Sequence, residues 1–176
     1  HYDDASFSKD DIKNLSDLIE YCGFGFVRSP IRWNVVETSK GNYQIPDNIK
    51  YANEYVDKIG LEMLAIVYNQ NNLYDIPPYY LESSQQKEAF SNYCKYVATE
   101  LKDYTDYYCM LNEFNHDSTG YYQNQQEYVD IAKAGYEGIM TGNANAFING
   151  GSLAGSLPAW ANVAIQKGLF NYCDSF

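Results

Sequence analysis

Apolar residues along this chain switch repeatedly between helical spacing and short unbroken runs, and that alternation leaves few folds open. Ser8 and Asp11 form a capping box ahead of Ile12, Leu15, Ile19 and Cys22, which share one helical face until Gly23 stops it. Phe24–Arg28 then reads as a strand. Ile45, Ile49, Ala52, Val56 and Ile59 line a second helix closed by Gly60. Met63–Tyr68 follows as an apolar run of the kind buried on both faces of a parallel sheet. Ser83 with Gln86 opens a third helix carrying Phe90, Cys94, Val97 and Leu101, and strand Tyr107–Leu111 comes next, ending in the polar pair Asn112-Glu113. A fourth helix runs through Tyr128, Ile131, Ala132, Gly135 and Ile139 to Gly142. Ala146–Asn149 is the next expected strand, Pro158–Lys167 a short helix, and Tyr172–Phe176 the opening of one more strand.

Strands that recur about every forty residues with a helix between them build right-handed βαβ units and a parallel sheet. Such a sheet either closes into a barrel or stays open and doubly wound. The turn after Arg28, Ser29-Pro30-Ile31-Arg32-Trp33, has no glycine, and neither GxGxxG nor GxxxxGK[ST] occurs. A (β/α)₈ barrel is therefore expected. The 176 residues read as a single domain, 1–176, with no linker or low-complexity tract. A whole barrel needs about 250 residues, so the chain should supply only part of one.

Charge narrows the partners. With 23 acidic and 12 basic residues the net charge is −11, which repels phosphate backbones and anionic lipid. Nucleic acid and membranes are thus not expected partners, and no run approaches the ~20 apolar residues of a membrane span. The four cysteines, Cys22, Cys94, Cys109 and Cys173, show no zinc spacing and are expected to be free and buried. Asn14-Leu15-Ser16 fits the glycosylation triplet, a pattern frequent by chance. The 19 Tyr, 8 Phe and 2 Trp either reflect biased composition or furnish rings for stacking on sugars.

In a parallel barrel, chemistry sits at the C-terminal strand ends. Here those positions hold Arg28, Tyr68-Asn69, Asn112-Glu113 and Gly150-Gly151, a polar set with a single carboxylate. No metal and no cofactor is expected from it. A carboxylate that ends an apolar strand is costly unless it has partners or a task, and Glu113 either performs acid/base chemistry or caps the following loop.

Two motifs give this pattern a family. Leu111-Asn112-Glu113-Phe114-Asn115-His116 resembles the fourth-strand end of the clan A retaining glycoside hydrolases, often Trp-Asn-Glu-Pro-Asn; Leu111 and Phe114 depart from the usual Trp and Pro. Arg28, Trp33, Glu37, Gly41 and Tyr43 stand at the spacing of a second motif of that group. The resemblance makes Phe24–Arg28 the second strand and Tyr172–Phe176 the start of the sixth, so the chain covers roughly strands 2 to 6. It implies Glu113 as acid/base, Asn112 as its substrate-fixing neighbour and Arg28 as support for the catalytic carboxylates. Trp33, Tyr68, Asn69, Asn115 and His116 are expected to bind substrate, whereas Tyr121 and Tyr122 read first as a surface aromatic pair, with a stacking platform as the alternative.

The implied reaction is double displacement on an oligo- or polysaccharide, with Glu113 first protonating the leaving oxygen and later deprotonating water. The nucleophile of such enzymes ends the seventh strand, which this segment does not contain, so the remainder of the barrel is an expected partner. Alone, the segment should be inactive. A secreted location is expected of such a glycanase. The main alternative is a non-catalytic carbohydrate-binding or scaffold protein on a degenerate barrel. A small-molecule enzyme such as an aldolase fits less well, because no lysine stands at a strand end.

Overall fold

A computed structural model describes residues 7–75, 81–116, 124–155 and 157–176. Their helices are α1 (Lys9–Tyr21), α2 (Trp33–Val36), α3 (Asp47–Lys58), α4 (Ser84–Leu101), α5 (Gln125–Gly142) and α6 (Pro158–Gln166). Their strands are β1 (Phe26–Arg32), β2 (Glu37–Ser39), β3 (Asn42–Tyr43), β4 (Glu62–Tyr68), β5 (Tyr107–Met110) and β6 (Phe147–Asn149).

The local signals explain most of these elements. Ser8/Asp11 and Ser83/Gln86 both close reciprocal capping boxes, and Pro158 opens α6 where its missing N–H costs nothing. The fourth helix ends at Gly142 as expected, though not through a left-handed glycine: Gly142 is its last helical residue and Asn143 caps it. Its glycines serve packing: a Cβ on Gly138 would meet the Ser91 carbonyl at 2.2 Å, and one on Gly142 the Lys95 carbonyl at 2.4 Å. These bare positions let α5 lie flush on α4.

β1, β4, β5 and β6 form one parallel sheet in that spatial order, and β2–β3 is a separate antiparallel hairpin. Strand order follows chain order without reversing, as in a barrel and unlike a doubly wound sheet. A parallel bridge from Asn149 to Ser175 begins the next strand, within the expected Tyr172–Phe176 stretch.

Two boundaries differ from the sequence reading. β1 runs on to Arg32, so Arg28 is its third residue rather than its last. Pro30 had suggested a turn, yet it pairs in register with Ile66 because among the described residues β1 has a neighbour on one side only, where a missing N–H is tolerated. Residues Trp33 to Tyr43, which the family resemblance makes the loop after the second strand, contain the short helix α2 and the β2–β3 hairpin.

Side chains alternate across the sheet. Ile31, Ala65, Val67, Tyr108, Met110 and Ile148 pack outward into the main core beneath the helices. Val27 and Met63 join Ile12, Ala52, Val56 and Leu61 in a smaller core under α1 and α3. The opposite face carries Phe26, Arg28, Leu64, Tyr107, Cys109, Phe147 and Asn149. Phe26, Tyr107 and Phe147 stand there 61%, 40% and 44% exposed, which marks the lumen side of a barrel of which this chain supplies a fragment. All four cysteines are free; Cys94, Cys109 and Cys173 are buried as expected, whereas Cys22 is exposed at the end of α1.

Candidate active site

Side chains from β1 and from the ends of β5 and β6 meet around one amide. Arg28 Nη2 donates to Asn112 Oδ1 at 2.8 Å and to Ser152 Oγ at 2.9 Å, and Ser152 Oγ lies 3.2 Å from the same Asn112 oxygen. Arg28 reaches from β1 across β4 to the ends of β5 and β6, which only a concave sheet face permits. The register sets the level: Arg28 pairs with Leu64, Leu64 with Tyr107 and Tyr107 with Phe147, so the guanidinium extends toward the C-terminal ends from a lower layer.

The turn that carries Glu113 is tightly specified. Leu111 (φ 56°) and Glu113 (φ 51°) are both left-handed without being glycine, a conformation costing about 1 kcal/mol or more each. Neighbouring bonds hold it: the Leu111 N–H donates to Val67 O at 3.0 Å, the Glu113 N–H to Ser152 O at 2.9 Å, and the His116 N–H to Glu113 O at 2.9 Å. Glu113 is exposed, and among the described residues no side-chain partner of its carboxylate is found.

The loop after β6 is the mould for this turn. Gly151 adopts φ 114°, and a Cβ there would lie 2.3 Å from Phe114 and 2.6 Å from Met110 O. Phe114, which stands where the resembling motif has proline, is fully buried and stacks on Tyr128 at 3.8 Å between ring centroids. Tyr128 donates its hydroxyl to Gly150 O, completing the support.

Several residues expected at the substrate are placed otherwise. Trp33 is fully buried, stacked on Tyr74 at 5.0 Å and Tyr93 at 5.6 Å, and its indole N–H donates to Glu37 at 2.5 Å. No ring face is left for a sugar, and further chain would only bury it more. Asn115 is likewise 1% exposed, with its amide donating to Ala154 O at 3.1 Å and accepting from Ala154 N at 2.6 Å. It clasps the β6 loop to the β5 turn. Asn69 is buried beyond β4, Tyr68 is half-buried at the strand's last position, and His116 is exposed beside Glu113. Tyr121 and Tyr122 lie outside the described residues.

The second sequence motif turns out to be a clamp. Glu37, fully buried, accepts from Trp33 Nε1, from the Gly41 N–H at 2.7 Å and from the Tyr74 hydroxyl at 2.5 Å. Those donors offset the cost of burying a carboxylate and fix the hairpin against the strand end. Burial, reinforced by the Glu37 charge, pushes the Tyr43 hydroxyl up to about 12.

Ser152 escaped the sequence reading, since a loop serine after a short strand carries no periodic or motif signal. Cys109 also faces the lumen, where its thiol donates to Asn149 Oδ1 at 3.3 Å. Burial raises its pKa against the opposing pull of Arg28, so thiolate chemistry is disfavoured. Among the described residues no three His, Cys, Asp or Glu side chains gather as metal ligands, and no described helix is long and apolar enough to cross a membrane.

No protein-family model matches the chain, and no curated protein does. Solved structures match by fold. A family 39 glycoside hydrolase from the gut symbiont Bacteroides cellulosilyticus superposes with a TM-score of 0.68 at 20% identity, over 81% of this chain and 29% of that one. The β-glycosidase BGL167 gives 0.66 at 17% identity, over 91% and 50%. GH5_18 from Streptomyces cattleya, solved in complex with GlcNAc, gives 0.69 at 13% identity, over 84% and 40%. The chain thus spans between about a third and half the length of these enzymes. It has the fold of part of the (β/α)₈ barrel that clan A glycoside hydrolases share.

Proposed function

We propose that this segment belongs to a retaining glycoside hydrolase acting on a neutral β-linked glycan, with Glu113 as its acid/base. The convergence of Arg28, Asn112 and Ser152 immediately beside Glu113 carries the reading. Arg28 is a guanidinium on the lumen face, and among the described residues it makes no salt bridge. Its partners among the described residues, the Asn112 amide oxygen, the Ser152 hydroxyl and the Cys109 thiol, carry no charge, which leaves the guanidinium's charge for a carboxylate from the strands outside this segment.

In the mechanism that follows, a carboxylate from a later strand attacks the anomeric carbon while Glu113 gives its proton to the departing oxygen. Water then enters, Glu113 removes a proton from it, and the glycosyl–enzyme ester is cleaved with net retention. Asn112 presents its amide N–H groups to substrate acceptors, and His116 and Tyr68 flank the site. The acidic surface suits an extracellular enzyme working on an uncharged polymer.

A second reading, a barrel that binds carbohydrate without cleaving it, draws on the single carboxylate at this end of the described sheet. Kinetics of Glu113→Gln in the complete protein separate the two. On substrates with poor leaving groups the account expects a loss of about 10²–10⁴-fold in kcat. Activated aryl glycosides should lose far less in the glycosylation step. A variant as active as the parent on a natural glycan excludes the acid/base role, and a parent that binds oligosaccharide without turnover selects the second reading.

A further inference from the structure

The orientation of the Asn112 amide is decided by its neighbours. A guanidinium has donors only, so the atom facing Arg28 Nη2 at 2.8 Å must be the carbonyl oxygen Oδ1. The Ser152 hydroxyl accepts from the same Nη2 at 2.9 Å, which aims its own proton at Asn112 Oδ1, 3.2 Å away. The three groups close a triangle in which every proton has one direction to go. Asn112 Nδ2 is thereby turned away from the protein wall, and no described residue accepts from it.

Ser152 acts on this site a second time through its backbone. Its carbonyl accepts the Glu113 N–H at 2.9 Å, and Glu113 is one of the two left-handed residues that flank Asn112. Asn115 clasps Ala154 two residues further on, with bonds of 3.1 and 2.6 Å. Gly151, on the other side of Ser152, has no room for a side chain. One residue of the β6 loop therefore touches the amide by its hydroxyl and the Glu113 turn by its carbonyl, between two anchored neighbours.

We propose that Ser152 is a positioning residue, which fixes Asn112 with its N–H groups outward so that the site selects substrates bearing a hydrogen-bond acceptor beside the reacting bond. The inference rests on the glycosidase reading for its kinetic consequence, but not for its structural one. Losing the hydroxyl leaves Arg28 as the sole restraint on the amide and an unopposed lone pair on Oδ1. Threonine at the same place keeps the hydroxyl and should keep the role.

The test uses the complete protein carrying Ser152→Ala, Ser152→Thr, Asn112→Ala and the double variant Ser152→Ala/Asn112→Ala. With asparagine labelled by ¹⁵N, the side-chain amide pair of Asn112 is identified by its loss in Asn112→Ala. The expected result is that this pair shifts in Ser152→Ala and returns in Ser152→Thr. Turnover should fall about tenfold in Ser152→Ala with KM changed less than about twofold, recover in Ser152→Thr, and be no lower in the double variant than in Asn112→Ala. An amide pair unmoved by Ser152→Ala overturns the proposal whether or not the protein is an enzyme. A shifted pair with kcat unchanged, or losses that multiply in the double variant, overturns the positioning role and leaves the assignment of Glu113 standing. If the parent protein hydrolyses no glycan, the glycosidase reading fails by that result alone, and the amide pair still decides the orientation set by Ser152.

Discussion

Glu37 shows how a residue beside the site can carry structure and no chemistry. Three donors converge on a carboxylate that solvent does not reach, two of them, Trp33 and Gly41, four residues away on either side. Glu37→Gln would turn an amide N–H₂ toward at least one of those donors. A loss of about 2–3 kcal/mol in unfolding free energy is expected, read from urea denaturation at neutral pH. Tyr43, beside the clamp, sets a second expectation. Its ordinary value is 10.0 and its folded value about 12. The unfolded chain therefore gives up this proton first as pH rises. Stability from this group is complete below about pH 10 and is lost as pH climbs through about 12, which Tyr43→Phe should blunt in an alkaline unfolding series. At this scale the sequence exposed Arg28, Asn112 and Glu113 because their types are unusual at the end of apolar runs. Trp33 and Asn115 were expected at the substrate only through the family resemblance, and a place in a motif says nothing of which way a ring or amide turns. Ser152 was invisible, since its partners come from strands 40 and 124 residues away.

Between elements, the close approach of α4 and α5 and the β6 loop under the Glu113 turn decide the geometry. Gly138→Ala must displace the Ser91 carbonyl, now 2.2 Å from where the methyl would stand, and neither helix can yield locally. A drop of about 2 kcal/mol or more is expected by thermal unfolding, with the helix content of the folded state unchanged. Gly151→Ala combines a left-handed φ with contacts at 2.3 and 2.6 Å, so it should disturb the Glu113 turn as well as stability. A fall in turnover larger than the change in folded population, measured at a temperature where both variants are folded, checks that link. Helix and strand order was legible from hydrophobic period and capping residues, because those signals are local. The end of β1 was not, since Pro30 breaks a strand only where both edges are paired, and pairing is a property of the sheet. Gly142 marked the helix end correctly, but its part in letting α5 touch α4 was not legible, since that depends on the Lys95 carbonyl of another helix.

As a whole, the described residues form a four-stranded parallel sheet with helices packed on one face and the other face open. Phe26, Tyr107 and Phe147 lie on that open side, 61%, 40% and 44% exposed, and among the described residues β1 is paired along one edge only. Residues 1–176 expressed alone should therefore self-associate, and light scattering at rising concentration would show it. Within the complete barrel the same rings are expected to be covered. A monodisperse, monomeric fragment would mean that the lumen face tolerates water better than its composition suggests.

In the proposed enzyme, the Arg28–Asn112–Ser152 cluster holds Glu113 opposite a nucleophile supplied by a later strand. A crystal structure of the complete protein tests it through one distance, from the Glu113 carboxyl to the nearest carboxyl at another strand end. A separation of about 5–5.5 Å is expected, with that second carboxylate in contact with the Arg28 guanidinium. A separation of about 6.5–9.5 Å would contradict retention in favour of inversion, and the absence of any facing carboxylate would contradict glycoside hydrolysis by this pair.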